Sequence, residues 1–297
     1  MDLYFRVPPV QLMHFLLGAP KSGTTWLSDA ISQHPELCVS NPKEPNIISS
    51  HKGTFARDHS EPDVRKYEKY FDGSGMRIDC SAHTLFCPLA PVRIAENYPD
   101  AKFIICLREP VDRVESHWKM ILDTREDKVH GLNWERFVDA WNDEKLKDCS
   151  KYGEALERWL DVFSLDRFLI IGSSRMKEEP ISVLSQIESH LSISNNEYNL
   201  DLIKKSNIGS GRRSVNSFGY LLKLIVSLIP KGVKGPFIRW ITRRNIDVYQ
   251  FRFLSSPNRN KSREVNLEER KRVRKDLKTD IELLERQLGV KSESLDW

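Results

Sequence analysis

The stretch LLGAPKSGTTWL, residues 16–27, joins an apolar run to a helical pattern, and it decides the fold. QLMHFLLG, residues 11–18, is predicted to be a buried strand, and TTWLSDAISQH, residues 24–34, has apolar residues at helical spacing. A strand, a glycine loop and a helix in this order aim backbone N–H groups and the positive end of a helix dipole at an anion. We therefore expect a phosphate-like group to bind where the helix begins.

The glycine spacing resembles a nucleotide-binding loop, but the lysine is displaced. In the pattern G-x-x-x-x-G-K-[ST], the lysine follows the second glycine and reaches the β and γ phosphates. Here Gly18 and Gly23 keep the spacing and two threonines follow, whereas Lys21 stands two positions before Gly23. The displacement raises the question of which anion this loop holds.

The rest of the chain alternates between strand and helix candidates. Further strands are expected at 36–41, 76–81, 101–107 and 167–172, and helices near 91–99, 111–122, 133–145, 151–163, 177–191 and 267–289. This alternation predicts a three-layer α/β fold with a mostly parallel central sheet flanked by helices. We expect a single domain over 1–297, with its core at 10–205 and a basic, helical part without further strands at 206–297.

Charge is distributed unevenly along the chain. Residues 204–275 hold 19 Lys and Arg against 4 Asp and Glu, out of 46 and 42 in the whole chain. Such asymmetry favours an anionic ligand or partner for the later third. These basic residues are not interleaved with the aromatic residues that stack on bases, so nucleic acid is not an expected partner.

Cysteine, histidine and apolar patterns exclude other classes. The five cysteines form no C-x-x-C pair and the eight histidines no H-x-x-x-H spacing, so we expect neither a disulfide framework nor a metal site. Without a transmembrane-length apolar run or leader-like start, the chain is expected to be cytoplasmic. The apolar helix candidate at 220–230 is expected to pack on the sheet, with peripheral membrane contact as the alternative.

A second anion site is indicated where the predicted strand FIICL ends. Metal-assisted phosphoryl transfer needs a strand that ends in aspartate, but this strand is followed by Arg108. A guanidinium binds phosphate bidentately and repels a metal ion. Ser116 follows on the next predicted helix, where its hydroxyl can reach the same anion. A nucleotide with phosphates at two separated positions fits both this site and the loop around Lys21.

The two motifs resemble those of the PAPS-dependent sulfotransferases, with a pattern closest to bacterial and glycan-type members. PKSGTTWL is similar to the loop that binds the 5′-phosphosulfate, and LREPVDRVESHW is similar to the 3′-phosphate signature. SNIGSGRRS, residues 206–214, resembles the late loop that closes over the 3′-phosphate and the adenine. The resemblance covers nearly the whole chain and implies a P-loop-like α/β fold.

The resemblance implies a metal-independent enzyme whose cofactor is 3′-phosphoadenosine 5′-phosphosulfate (PAPS) and whose product is adenosine 3′,5′-bisphosphate. The cofactor-binding residues that it implies are Lys21, Ser22, Gly23, Thr24, Thr25, Trp26, Arg108, Ser116, Gly211, Arg212 and Arg213. Lys21 would also be catalytic, because its charge would stabilise the departing phosphate.

The resemblance also implies a general base, since an acceptor hydroxyl must lose a proton. Glycan-type members carry a Lys-Glu pair and a catalytic glutamate where this chain has Lys43 and Glu44. Lys43 would keep Glu44 ionised or touch the sulfonate. Small-molecule members use a histidine instead, so His83 and His117 compete for the role of base, although His117 is expected to be structural.

The segment RIDCSAHTLF departs from the glycan-type pattern. Asp79 and Ser81 match its acidic residue and its serine, but Cys80 replaces a lysine, Ala82 a proline and Thr84 an aromatic residue. The expected acceptor is a hydroxyl or amine, most simply of a carbohydrate. The alternatives are a small hydroxylated metabolite or lipid with a histidine base, a P-loop kinase, and a non-catalytic anion-binding protein.

Overall fold

Strands and helices alternate in the computed structural model, which describes residues 12–203, 213–229, 251, 253–257 and 263–295. The strands are β1 (Met13–Gly18), β2 (Leu37–Val39), β3 (His51–Lys52), β4 (Ala56–Arg57), β5 (Met76–Asp79), β6 (Phe103–Leu107), β7 (Phe168–Gly172), β8 (Ser214–Val215) and β9 (Ser255–Ser256). The helices are α1 (Thr24–Ile31), α2 (Ala90–Asn97), α3 (Pro110–Thr124), α4 (Glu126–Val129), α5 (Phe137–Trp141), α6 (Glu144–Asp148), α7 (Tyr152–Leu160), α8 (Arg175–Glu178), α9 (Pro180–Leu191), α10 (Ser217–Leu228) and α11 (Leu267–Leu288).

Five strands form one sheet in the order β2-β5-β1-β6-β7. Every neighbouring pair in it is parallel, so the predicted parallel central sheet is confirmed. The chain builds the sheet outward from β1 in both directions, first to β2 and later to β6 and β7. Such a reversal of direction leaves a crevice at the carboxyl ends of the central strands. The glycine loop begins at this position, directly after β1.

Helices cover both faces of the sheet, and the alternation along β1 shows why. Leu16 belongs to an apolar core that also contains Leu27 of α1 and Leu184 of α9. Its neighbour Phe15 points to the opposite face, where it stacks on Phe103 at 6.1 Å between ring centroids. Phe103 in turn contacts the Trp159 ring of α7. The three-layer α/β fold is therefore confirmed.

The chain divides into two compact units. The first contains the described residues of Met1–Leu107, Ala155–Ile203 and Glu293–Trp297, and the second those of Arg108–Glu154 and Lys204–Ser292. Residues from α3 to α6 thus group with the later, basic part of the chain. The single domain expected from the sequence stays a prediction.

The long helix α11 is bound to α3 inside the second unit. Arg270 donates to Asp112 Oδ1 at 2.6 Å and to Glu115 Oε2 at 2.7 Å. A capping box between Asn266 and Glu269 begins α11, and Gly289 at φ 67° ends it. The helix predicted at 267–289 is therefore confirmed, together with the residue type that stops it.

Three local predictions are wrong. The helix expected at 133–145 is interrupted, because Asp143 is extended and its side chain caps α6. The helix expected at 177–191 is broken before Pro180, whose ring favours the first turn of a new helix. β8 and β9 pair in an antiparallel ladder within 206–297, where no strand was expected.

The apolar segment near residue 220 forms α10, which packs against β8 in the second unit. Several of its large apolar side chains remain exposed. Within the described ranges, no helix is long and apolar enough to cross a membrane. All five cysteines are free thiols with buried side chains.

Candidate active site

Two glycines shape the loop after β1. Gly18 has φ 145° and Gly23 has φ 93°, both in the region that glycine favours. A Cβ at Gly18 would lie 2.3 Å from the carbonyl oxygen of Ala82, and one at Gly23 would lie 2.8 Å from Met176 Cε. The predicted loop therefore requires glycine at both positions, for conformation and for space.

The loop presents unsatisfied donors at the start of α1. In the described structure, no side chain caps this helix, whose N-cap is Gly23. The first N–H groups of a helix lack partners within it, so they are available to an anion. The Ser22 hydroxyl is fully buried, and its Oγ has no hydrogen-bond partner among the described residues. These donors fit a bound phosphosulfate group.

Lys21 has an unusual backbone in the same loop. Its φ is 71°, in the left-handed region that costs a residue with a side chain about 1–3 kcal/mol. Its side chain is half-buried. Glu44 has the same feature at φ 64°. Two of the candidate catalytic residues, Lys21 and Glu44, therefore adopt conformations that the surrounding structure must enforce.

Lys43 connects the candidate base to the phosphate loop. Its Nζ donates to Glu44 Oε1 at 3.1 Å and to Thr24 Oγ1 at 3.2 Å. Thr24 is the first residue of α1, so the cation lies between the helix start and the carboxylate. Lys43 thus links Glu44 to the start of α1, directly after the glycine loop. The family resemblance implied this proximity, but the sequence alone did not show it.

The environment of Glu44 favours its ionised form. Burial raises the pKa of Glu44, but the positive charges of Lys43 and His83 lower it. The hydrogen bond from Lys43 and the charge of Lys21 lower it further, so the pKa lies below its usual value. The side chain keeps 35% of its exposure. An ionised carboxylate that solvent can still reach is suited to accept a proton.

A buried network holds the loop that carries Glu44. Asp79, at the end of β5, accepts hydrogen bonds from Tyr67 Oη at 2.6 Å and from Ser81 Oγ at 2.5 Å. Ser81 Oγ in turn accepts the backbone N–H of Asn46 at 2.9 Å, and Asn46 Nδ2 donates to the carbonyl oxygen of Glu44 at 2.9 Å. Three hydrogen bonds therefore link the end of β5 to the loop of the candidate base, and the bond from Tyr67 holds Asp79 in place.

Sequence reasoning missed Tyr67 and Asn46, and it gave Asp79 and Ser81 no role beyond matching a pattern. Tyr67 lies in a polar stretch twelve residues before its partner Asp79, so no periodicity connects them. Asn46 stands in PKEPN, a turn-like sequence, which was the only available signal.

The two histidines that compete for the role of base differ in their surroundings. His83 is buried in the first unit, and its charge acts on the pKa of Glu44. His117 is fully buried in the second unit, where its Nδ1 lies 2.9 Å from a guanidinium nitrogen of Arg113. This contact in a protein interior agrees with the structural role expected for His117.

The candidate 3′-phosphate residues lie in the second unit. Arg108 is half-buried, and its carbonyl oxygen accepts a hydrogen bond from Tyr152 Oη at 3.0 Å. Ser116 is half-buried on α3. Arg213 donates to Ser255 Oγ and to its carbonyl oxygen, both at 2.8 Å. The other two residues named in the late loop, Gly211 and Arg212, lie outside the described residues.

The fold and the glycine loop agree with the family that a sequence comparison identifies. The family model described as Sulfotransferase domain matches residues 13–214, more than half of the chain, and the chain belongs to this family. The resemblance stated from the two motifs is therefore confirmed. The matched range includes the glycine loop, Glu44, Arg108 and Ser116.

Relatives and a solved structure agree with this family. Mouse bifunctional heparan sulfate N-deacetylase/N-sulfotransferase 4 is 24% identical over 192 residues, which are 60% of this chain and 22% of that protein. Mouse heparan sulfate glucosamine 3-O-sulfotransferase 5 is 26% identical over 199 residues, 65% of this chain and 55% of that protein. This chain therefore spans only part of either relative. The crystal structure of a sulfotransferase from Alicyclobacillus acidocaldarius aligns with a TM-score of 0.61 at 19% identity, covers 96% of this chain and 98% of its own, and shows the same fold.

Proposed function

We propose that the protein transfers a sulfuryl group from PAPS to an acceptor hydroxyl, with Glu44 as the general base. The observation that carries this proposal is the position of Lys43, which bonds to Glu44 on one side and to the first residue of α1 on the other. The candidate base and the candidate anion site therefore share one cation. A surface ion pair between Lys43 and Glu44 would not account for the second hydrogen bond of Lys43, to Thr24 at the start of α1.

The residues of the loop have distinct parts in the proposal. PAPS supplies an activated sulfuryl group whose leaving phosphate gains negative charge. The backbone N–H groups that begin α1 and the Ser22 hydroxyl would bind its phosphosulfate end. Lys21 would offset the growing negative charge. Lys43 would hold Glu44 ionised while the carboxylate takes the proton of the acceptor.

The binding of the 3′-phosphate is proposed from the sequence motif. The residues assigned to it are Arg108, Ser116, Gly211, Arg212 and Arg213. A guanidinium that follows a strand can form two parallel hydrogen bonds to a phosphate, which suits an anion that must be bound without a metal. Arg213 would need to exchange its contacts with Ser255 for contacts with the nucleotide.

A carbohydrate is the acceptor that we propose. Two relatives at 24% and 26% identity are named as heparan sulfate sulfotransferases, one acting on nitrogen and one on a 3-O position. The departure from the glycan-type pattern at Cys80 does not affect the Lys43–Glu44 pair. This pair supports a glutamate base of the kind that glycan-type members use. In the alternative, the acceptor is a small metabolite or lipid and His83 is the base. The charge of His83 already lowers the pKa of Glu44.

The test is a transfer assay with radiolabelled PAPS over a glucosamine-containing polysaccharide, glycolipids and phenols. We expect a labelled polysaccharide, and we expect Lys21→Ala to reduce its formation by about 10²- to 10³-fold. Lys278→Ala, at an exposed lysine of α11, is the matched control and should remain active.

Two results would contradict the proposal. Product with phenols alone, unaffected by Glu44→Gln, would assign the base to a histidine. Calorimetry that detects no binding of adenosine 3′,5′-bisphosphate, but tight binding of ATP with magnesium, would favour the kinase instead.

A further inference from the structure

The helix α10 exposes a continuous apolar stripe in the second unit. The stripe consists of large apolar side chains that recur every three or four residues, with one adjacent pair. Its members are Phe218, Leu221, Leu222, Ile225 and Leu228. At 100° per residue, they cover one side of the helix. Contiguous exposed apolar surface on this scale marks an interaction site more often than a neutral surface.

The opposite side of α10 is bound to the second unit. Lys223 Nζ donates to the carbonyl oxygen of Thr124 at 2.7 Å, and the guanidinium of Arg125 lies 5.9 Å from the centre of the Tyr220 ring. A Cβ at Gly219 would lie 2.2 Å from the carbonyl oxygen of Leu254, so the backbone packs closely there. These contacts set the rotation of the helix and direct the apolar stripe away from them.

The charge around the stripe selects the chemistry of a partner. α10 contains no acidic residue, and its one lysine, Lys223, is bound on the side away from the stripe. The sequence that follows, 229–252, lies mostly outside the described residues and contains six Lys and Arg against one acidic residue. An apolar helix face with basic flanking sequence matches an anionic bilayer, whose headgroups attract the cations while its acyl chains accept the apolar side chains. With 12 residues, α10 is about 18 Å long at 1.5 Å per residue, too short to span a hydrocarbon core of about 30 Å.

From these observations we infer that α10 lies in the plane of an anionic membrane surface, with its apolar stripe inserted among the lipids. The inference concerns binding and does not rest on the proposed transfer reaction. It explains why apolar side chains remain exposed on a helix whose other side is well anchored. The apolar stripe together with the basic flanking sequence favours an anionic bilayer, which offers acyl chains and anionic headgroups at one surface.

The experiment is co-sedimentation of the full chain with vesicles of phosphatidylcholine alone or of equal parts phosphatidylcholine and phosphatidylglycerol. We expect binding to the anionic vesicles and a reduction in high salt, because the headgroup attraction is screened. The double variant Leu221→Ser with Ile225→Ser should reduce partitioning at least tenfold, since two large apolar side chains no longer enter the lipid.

The matched control replaces two apolar residues of equal exposure elsewhere. Val92 and Ile181 are 53% and 54% exposed, against 53% and 51% for Leu221 and Ile225. The double variant Val92→Ser with Ile181→Ser should bind vesicles like the wild type. Leu228→Ser, at a side chain that is 83% exposed, gives a third variant with little risk to folding and should weaken binding by a smaller factor.

Each other outcome overturns the inference. Absence of binding to anionic vesicles excludes the bilayer, and equal binding by both double variants shows that charge alone is responsible. A melting temperature lowered by several degrees in Leu221→Ser with Ile225→Ser, but not in its control, shows that protein covers the stripe. A dimer in light scattering that this variant converts to monomer identifies a second copy of the chain as the occupant.

Discussion

Two carboxylates of the first unit, Glu44 and Asp79, are treated in opposite ways. Glu44 lies on a loop after β2, beside Lys43 and close to the charges of His83 and Lys21, and its pKa is below its usual value. Asp79 is almost fully buried at the end of β5 among hydroxyl groups, and burial raises its pKa although two hydrogen bonds offset part of the increase. The same functional group is thus favoured in its ionised form in one region and bound within a buried hydrogen-bond network in the other.

Nearby cations distinguish the two carboxylates, because burial raises the pKa of both, but at Glu44 positive charges bring the pKa below its usual value. Hydroxyl donors stabilise the ionised form of Asp79 in part, but burial has the larger effect and its pKa stays above the usual value. Glu44 has a compensating cation within hydrogen-bond distance and keeps contact with solvent. The network from Tyr67 through Asp79 and Ser81 then transmits the rigidity of the sheet to the loop of Glu44.

The largest expected effect comes from neutralising the candidate base. Glu44→Gln keeps the size and hydrogen-bonding ability of the side chain and removes its basicity, so kcat should fall by about 10²- to 10⁴-fold. Steady-state transfer assays measure this loss, and Glu61→Gln at an exposed glutamate is the control. If Glu44→Gln retains most of the activity, Glu44 is not the general base and does not differ from Asp79 in function.

The second prediction concerns the positive charge that Lys43 places beside Glu44. Lys43→Met removes the cation that lowers the pKa of Glu44, so this pKa should rise and the acid limb of the kcat/KM profile should move to higher pH. Activity at neutral pH should fall by about tenfold, because Thr24 loses its contact with Lys43 as well. An acid limb that stays in place would show that Glu44 does not determine it.

A smaller effect is expected at Ser81, which connects Asp79 to the loop of Glu44. Ser81→Ala removes the acceptor of the Asn46 N–H, a bond of about 1 kcal/mol, and should lower kcat about fivefold. The acid limb should move little, since the cations that lower the pKa of Glu44 stay in place and only Asp79 loses a hydroxyl donor. Ser60→Ala, at an exposed serine, is the control. A shifted limb with unchanged maximal rate would contradict a positioning role.

The smallest effect on activity should come from the far end of the network. Tyr67→Phe leaves Asp79 with one hydroxyl donor fewer in a buried site, and it should lower the free energy of unfolding by about 1–2 kcal/mol. Denaturant unfolding measures this change, and kcat should fall by less than it does in Ser81→Ala. Tyr70→Phe is the control for removal of a hydroxyl nearby. Equal stability of the two variants would show that the Tyr67 bond contributes nothing.

Most of the site in the first unit could be predicted from the sequence, but the reason that it is rigid could not. The loop from Gly18 to Trp26 is local, and its conformation follows from glycine spacing next to a strand and a helix. Lys43 and Glu44 were assigned because a family pattern places them after the second strand. The bond from Lys43 to Thr24 joins residues 19 positions apart, and no periodicity encodes such a contact.

The local sequence was sufficient to predict most of the strand and helix alternation and the glycine loop after β1, and it contains the concentration of basic residues after position 204. Each of these depends on neighbouring residues, whose spacing directly governs backbone conformation and local charge. The network of Tyr67, Asp79, Ser81 and Asn46 and the exposed stripe of α10 became visible only in the folded chain. Those properties arise when distant segments exclude water from some side chains and leave others in contact with it, so they exist only after the chain has folded.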